Sequence, residues 1–380
     1  MHDFRTISKQ LFRRFGLRCY LVCDLKRANK TKQSVTILDV ARESGFSPTT
    51  VSIALNGVSP SENLRDETKR QIFETARRLG YRPSESAQVL RRGRSNSIGI
   101  VVFDIADPFC TLILRGIDLE LKKTGYLPIV MDAHNSLDRF KQYVEMLVHR
   151  RVEGLIVVAN WLFIQLDALK SVVERKLPAV VVGRDMRQSG ISSVLVDNEA
   201  GGYLALRHIY ELGHRNVGFL LGPTQLGDSI PRWAGTRRFA TEAGLNLKKA
   251  HIKRLPDLSD PLSGFSAGRE LTLELMESRP EITAMVAFDD LSAFGAIRAL
   301  AESGRSVPND CSVIGFDDVP MSALATPGLT TIRQPMLEMG SFAFETVFSR
   351  LRGPSSVQTA DARVNLMQPE LVVRGSTLAR

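Results

Sequence analysis

The run SPTTVSIALNG, Ser47 to Gly57, holds four hydroxyl side chains around one proline and closes on Asn56-Gly57. Serine and threonine hydroxyls donate and accept hydrogen bonds, and the rest of the chain offers no covalent chemistry for them to join. It has no phosphate-loop lysine motif, no G-x-S-x-G elbow and no His-x-x-x-His metal pair. His134, His149, His208, His214 and His251 show no chemical clustering in the sequence. The chain therefore reads as a binding protein and not an enzyme, with no cofactor and no metal.

Charge says what is bound. The formal net charge of +9 is unevenly placed: residues 1–35 carry nine Lys/Arg against two Asp/Glu, and residues 36–94 carry ten against seven. The basic excess lies wholly in the first quarter, which points to a polyanionic partner met at that end. The four cysteines, Cys19, Cys23, Cys110 and Cys311, form no ladder of spacings, so neither a disulfide framework nor a zinc site is indicated and a reducing cytoplasm fits. Apolar runs such as GLIVVAN and PAVVVG are far too short to span a bilayer. The stretch LFRRFGLRCYLVC is broken by Arg18 and lacks a small residue before a cleavage point, so export is not expected. Residues 1–34 read as a disordered basic extension or as an overlong start.

The elements that must position the hydroxyls follow from capping chemistry. In TILDVARESG, Ile37, Val40 and Ala41 share a helix face, Thr36 is a plausible N-cap and Gly45 stands past the end. In the next run Ser47 caps and Pro48 takes the first helical position, where its missing N–H costs nothing. A third segment, RDETKRQIFETARRLGY, is predicted to place Ile72, Phe73, Ala76 and Leu79 on one face. Two short helices joined at Gly45 and braced by a third make a helix-turn-helix module. Its expected core is Val40, Ala41, Val51, Ala54 and Leu55, with Thr49, Thr50 and Ile53 left on the open face.

From residue 97 the texture changes to apolar strands (SIGIVVF, LPIVMD, GLIVVA, AVVVG, SVLVD, NVGFLLG, ITAMVAF, CSVIGFD) alternating with amphipathic helices. Such alternation predicts an α/β body with parallel sheets covered on both faces, in two lobes because one sheet would be oversized. The predicted division is 1–34 extension, 35–82 helix-turn-helix domain, 83–95 hinge helix or linker, and 96–377 two-lobed body.

TILDVARESGFSPTTVSIALNG followed by LGYRPSESAQVLRRGRSNSIGIVV closely resembles the lactose-repressor (LacI/GalR) family of bacterial transcription regulators. ADPFCTLILRGI, LGHRNVGFLLGP, RWAGTRRF, AFDDLSAFGAIRAL, SVIGFDD and PGLTTIRQP extend the likeness over roughly residues 36–375. The resemblance implies an N-terminal helix-turn-helix headpiece, a hinge helix that orders on the operator, and a body like the periplasmic sugar-binding proteins. It implies a homodimer on a pseudo-palindromic double-stranded DNA operator, acting as a repressor in the cytoplasm, with a sugar-like small-molecule effector between the lobes.

By that resemblance, Pro48, Thr49 and Ile53 match the base-reading positions. None can make a bidentate base contact, so readout should lean on threonine hydroxyls and on thymine methyls. Thr36, Ser47, Thr50, Ser52 and Asn56 complete the expected DNA-binding set, with Thr50 and Ser52 setting register on phosphates. Ala87 and Leu90 match hinge positions that enter the minor groove, Leu90 as a wedge, while Arg91, Arg92 and Arg94 face phosphates. Arg65 departs from the family's capping serine. For the effector the matched positions are Asp107, Phe109, Arg184, Arg232, Phe288, Asp289, Asp317 and Gln334, at the carboxyl ends of strands where α/β sheets bind ligands. The Asn160-Trp161 pair is a weaker candidate. One acid of each pair, Asp289-Asp290 and Asp317-Asp318, is expected to cap a helix, and Trp233 either lines the cleft or packs beneath it. Two arginines also permit a sugar acid or sugar phosphate.

The rival reading is a transport-type sugar-binding protein of the same body, which would need a signal peptide and no headpiece. His214, in LGHRN, is expected near the negative end of a helix dipole. ELVVRG is the expected last strand and only STLAR follows it, so no C-terminal heptad helix is expected to join two dimers and a dimer is predicted.

Overall fold

The computed structural model describes residues 35–56, 64–81, 94–159, 169–224, 226–256, 263–353 and 362–380. The chain forms two compact units, Met1–Gly93 and Arg94–Arg380, each described by itself.

Among its described residues the first unit holds three helices, α1 (Ile37–Ser44), α2 (Pro48–Asn56) and α3 (Asp66–Leu79). Thr36 and Asp39 close a capping box on α1, with Thr36 N donating to Asp39 at 2.9 Å and Asp39 N to Thr36 Oγ1 at 3.3 Å. Gly45 ends α1 at φ 75°, a conformation that favours glycine. Ser47 Oγ then accepts from Thr50 N at 3.1 Å and starts α2. Arg65 offers α3 no side-chain cap; Asp66 and Glu67 in its first turn face the positive end of the helix dipole instead. Val40, Val51 and Ile72 are fully buried among Ala41, Ala54 and Ala76.

Phe73 does not join that core: it is 51% exposed, and Ile72, Thr75 and Ala76 are the inward residues of α3. Adjacent helix positions lie about 100° apart, and the small alanine-lined crossing takes one ridge of α3 only.

The second unit is two α/β lobes. Lobe one carries the sheet β11-β5-β4-β3-β1-β2 and lobe two the sheet β12-β10-β9-β8-β6-β7. In chain order lobe one runs β1 (Ser97–Val102), α4 (Pro108–Leu121), β2 (Leu127–Asp132), α5 (Leu137–His149), β3 (Gly154–Val158), α6 (Lys170–Glu174), β4 (Ala179–Val182) and β5 (Ser192–Val196). Lobe two follows with α7 (Asn198–Glu211), β6 (Val217–Leu221), α8 (Ser229–Glu242), β7 (Ile252–Arg254), α9 (Ser263–Ser278), β8 (Ala284–Val286), α10 (Asp290–Glu302), β9 (Ser312–Asp317), α11 (Pro320–Leu324) and β10 (Thr330–Arg333). The chain then returns to lobe one as α12 (Met336–Arg352) and β11 (Val364–Met367), and ends in lobe two with β12 (Glu370–Val372). It therefore passes between lobes at Val196–Asn198, Arg333–Met336 and Met367–Glu370.

Each predicted strand is present, but β7, β10 and β11 are additional. β10 is hidden by its hydroxyls: Thr330 and Thr331 are fully buried because Thr377 and Asp290 accept or donate to them. The pairing is parallel except for β12, which runs antiparallel to β10.

Trp233 packs beneath the cleft, its ring at 5.5 Å from Phe219 and edge-on to it. His214 lies just past the end of α7 and before β6, as expected, and its backbone N–H donates to Ile209 O at 3.3 Å. It is 4% exposed, with Nδ1 at 2.9 Å from Thr283 Oγ1 and Nε2 at 3.0 Å from Leu378 O, so it ties the last residues to lobe two. Burial pushes its pKa below the usual histidine range.

Candidate functional site

In the first unit, Ser47, Pro48 and Thr49 are exposed at the start of α2, while Thr50, Ser52 and Ile53 are half-buried. The cap geometry sets this face. Val51 and Ala54 turn inward, so the intervening positions turn outward. Thr36 and Ser47 use their hydroxyls within the module, Thr36 on Asp39 and Ser47 on Thr50. Asn56 ends α2. Ala87, Leu90, Arg91 and Arg92 lie outside the described residues. Arg94, expected on phosphate, here donates to Glu153 at 3.2 Å.

In the second unit a cavity of about 360 Å³ opens between the lobes. Lobe one contributes Phe109 from the start of α4 and Arg184 after β4; lobe two contributes Asn198 and Asp228 from the starts of α7 and α8; Gln334 comes from the crossing after β10. Ends of strands and starts of helices thus converge where the lobes meet.

Arg232 is the centre of the polar network behind this surface. Its Nε donates to Asn198 Oδ1 at 2.7 Å and its Nη1 to the Phe288 carbonyl at 2.7 Å. Its guanidinium lies 3.7 Å from the centroid of Phe316 and 4.6 Å from that of Phe288. Nη2 reaches Asp228 Oδ2 at 3.6 Å and Asp317 Oδ1 at 3.8 Å, ion pairs too long to be hydrogen bonds. Gln334 Nε2 donates to Asp317 Oδ1 at 2.6 Å. Burial raises the pKa of Asp317 well above the usual carboxylate range against the pull of Arg232, and raises that of Asp228 in the same way. Two glycines hold the arrangement in place. A Cβ on Gly202 would meet Arg232 O at 1.9 Å and one on Gly235 would meet Glu199 O at 1.8 Å, so α7 and α8 touch backbone to backbone and fix Asn198 against Arg232.

The relatives agree with both halves. Residues 36–84 match the model of bacterial regulatory proteins of the lacI family, and residues 206–377 match a periplasmic binding protein-like domain. The HTH-type transcriptional repressor PurR of Edwardsiella ictaluri is 33% identical over 343 residues, covering 90% of this chain and 96% of its own. The chain belongs to the LacI family. The repressor CytR of Escherichia coli is 29% identical over 355 residues, covering 93% of this chain and 99% of its own. Among solved structures, the lac repressor dimer bound to operator and the anti-inducer ONPF superposes with a TM-score of 0.77 at 27% identity, covering 91% of this chain and 100% of that one.

As a LacI-family member the chain is a helix-turn-helix transcriptional regulator with a periplasmic-binding-protein-like body. Of the sequence-selected effector residues, Phe109, Arg184 and Gln334 line the cavity, and Arg232, Phe288 and Asp317 form the network behind it. Asp107 and Asp289 are used otherwise. Asp107 caps α4 by accepting from Phe109 N at 2.9 Å. Asp289 caps α10, accepting from Ser292 N at 2.7 Å and from its hydroxyl at 2.6 Å. The second acidic pair departs from expectation, because neither member caps: Asp318 pairs with Arg333 at 2.8 Å and Arg374 at 2.6 Å. Asn160 and Trp161 lie outside the described residues.

Sequence reasoning missed Asn198 and Asp228. Asn198 follows SVLVD, a predicted strand, and the strand-end rule applied there would have found it; Asp228 lies one helical turn before Arg232 and carried no motif. Sequence spacing also did not show that His134, Asp104 and Asp132 bring their side-chain oxygen and nitrogen atoms within 4.8 Å of one another.

Proposed function

We propose that the chain represses transcription in the cytoplasm as a homodimer on a pseudo-palindromic operator, with Pro48, Thr49 and Ile53 reading bases and Thr50 and Ser52 setting register. Ala87 and Leu90 would enter the minor groove, and a small hydroxylated effector between the lobes would change the grip. The observation that carries this reading is one chain joining a capped helix-turn-helix, whose α2 start is exposed, to a body whose lobes enclose a cavity lined by charged, amide and apolar side chains. The network around Arg232 supports the effector role: Gln334 and Asn198 stand at two of the three lobe crossings and both bond into it. A ligand that rearranges those bonds would therefore bias how the lobes sit. No catalytic role is assigned to any residue, and the headpiece disfavours a transport protein.

Deleting the gene should raise transcripts beside the chromosomal binding sites, and restoring it should lower them. Transcripts unchanged in both strains would contradict repression.

A further inference from the structure

The carboxylates and cations of the cavity wall are unequal in number. Among the described residues, Asp185, Asp197, Glu199 and Asp228 line it against one guanidinium, that of Arg184. Three of the four acids are committed elsewhere. Asp185 takes Arg187 at 2.6 Å, Glu199 takes Arg238 at 2.7 Å, and Asp197 accepts from Ala200 N at 2.9 Å as the cap of α7.

Asp228 differs from all three. Its side chain is 18% exposed, and it stands at the N-cap of α8 without turning back to the helix amides. Oδ1 accepts from Asn198 Nδ2 at 3.1 Å, and the Arg232 Nε bond to Asn198 Oδ1 fixes that amide so that it cannot flip. Oδ2 faces Arg232 Nη2 across 3.6 Å, and among the described residues no hydrogen-bond donor reaches it. A helix N-terminus would ordinarily attract an anion; here the protein's own carboxylate already holds that place. Asp317 is the other acid beside Arg232, yet it does not line the cavity and takes Gln334 on Oδ1.

We propose that Asp228 sets the charge class of the effector: it admits an uncharged ligand whose hydroxyl donates to Oδ2, and it excludes carboxylate and phosphate ligands. The chemistry is directional. A ligand hydroxyl has a proton to give Oδ2, whereas an ionised carboxylate or phosphate group in that place has none and would stand against the like charge of Asp228, which is strongly disfavoured. This rests on the reading that the cavity holds the effector.

The test uses the full chain and matched pairs at fixed pH and ionic strength: glucose and glucuronate, galactose and galacturonate, ribose and ribose 5-phosphate, adenosine and AMP. Calorimetric titration should find every binder among the uncharged members, with the charged counterpart at least about tenfold weaker. Asp228→Asn should shrink that ratio by about tenfold or more, with Asp228→Ser and circular dichroism showing that the change is not misfolding. A charged member that binds as tightly as its partner, or a ratio unchanged in both variants, would overturn the proposal alone. Binding by no member of any pair would overturn the effector reading beneath it as well.

Discussion

Arg232 gives two of its nitrogens to protein acceptors and holds the third near two carboxylates it does not hydrogen-bond. Residues around it are satisfied by the fold to different degrees, and that difference separates structure from recognition. Asp290 is the fully satisfied extreme: buried completely, it accepts from Val319 N at 2.9 Å and Ser322 Oγ at 2.6 Å, and from Thr331 Oγ1. Burial nevertheless pushes its pKa up to about 7. Between an ordinary aspartate value of about 4 and that point, the folded chain holds a proton the unfolded chain has released. Stability therefore falls as pH rises through this window and the deficit is complete above about 7. Asp290→Asn removes the titration, so the stability of the native chain relative to the variant should drop by about 2 kcal/mol from pH 5 to pH 8. Urea unfolding at the two pH values measures it, and a difference that stays constant would show that the proton is not held.

At the scale of elements, capping chemistry was the most legible feature. Thr36, Gly45, Ser47 and Pro48 announce α1 and α2 because each performs a local task that needs no distant partner. Ser47→Ala should accordingly cost the module about 1 kcal/mol and lower amide protection in α2 about fivefold. Hydrogen exchange on the full chain reads this, and unchanged protection would mean that Ser47 is not a working cap. What could not be read depends on distant partners. Thr330 and Thr331 look polar until Thr377 and Asp290 are seen beside them, which hid β10. Phe73 looked like core because it follows Ile72, but the breadth of the apolar face is set by the two helices across from it. One acid of the Asp317-Asp318 pair looked like a cap, but neither caps, and Asp318 binds two arginines, one of them 56 residues away.

For the whole molecule, the lobes and headpiece were legible from the alternation of strands and helices and from the ordered family motifs. The polar network at the cavity was legible where motifs fixed its members, as at Arg232 and Gln334. Asp228 was not, because its meaning comes from what surrounds it. The hinge is where the units are read as cooperating on DNA. Leu90→Ala should sharply reduce preference for operator while nearly preserving binding to random DNA, since an apolar wedge serves the bent specific complex and phosphate attraction does not need it. Competition titrations would show this, and equal losses on both DNAs would contradict a wedge.

The central claim is sequence-specific binding by a two-fold protein. Purified full chain should be mixed with fragments of the source genome at near-physiological salt, and the retained fragments sequenced. One enriched pseudo-palindrome with half-sites matching dimer symmetry is the expected result. Retention that is unselective and vanishes with added salt would contradict it, because only phosphate attraction would then be present.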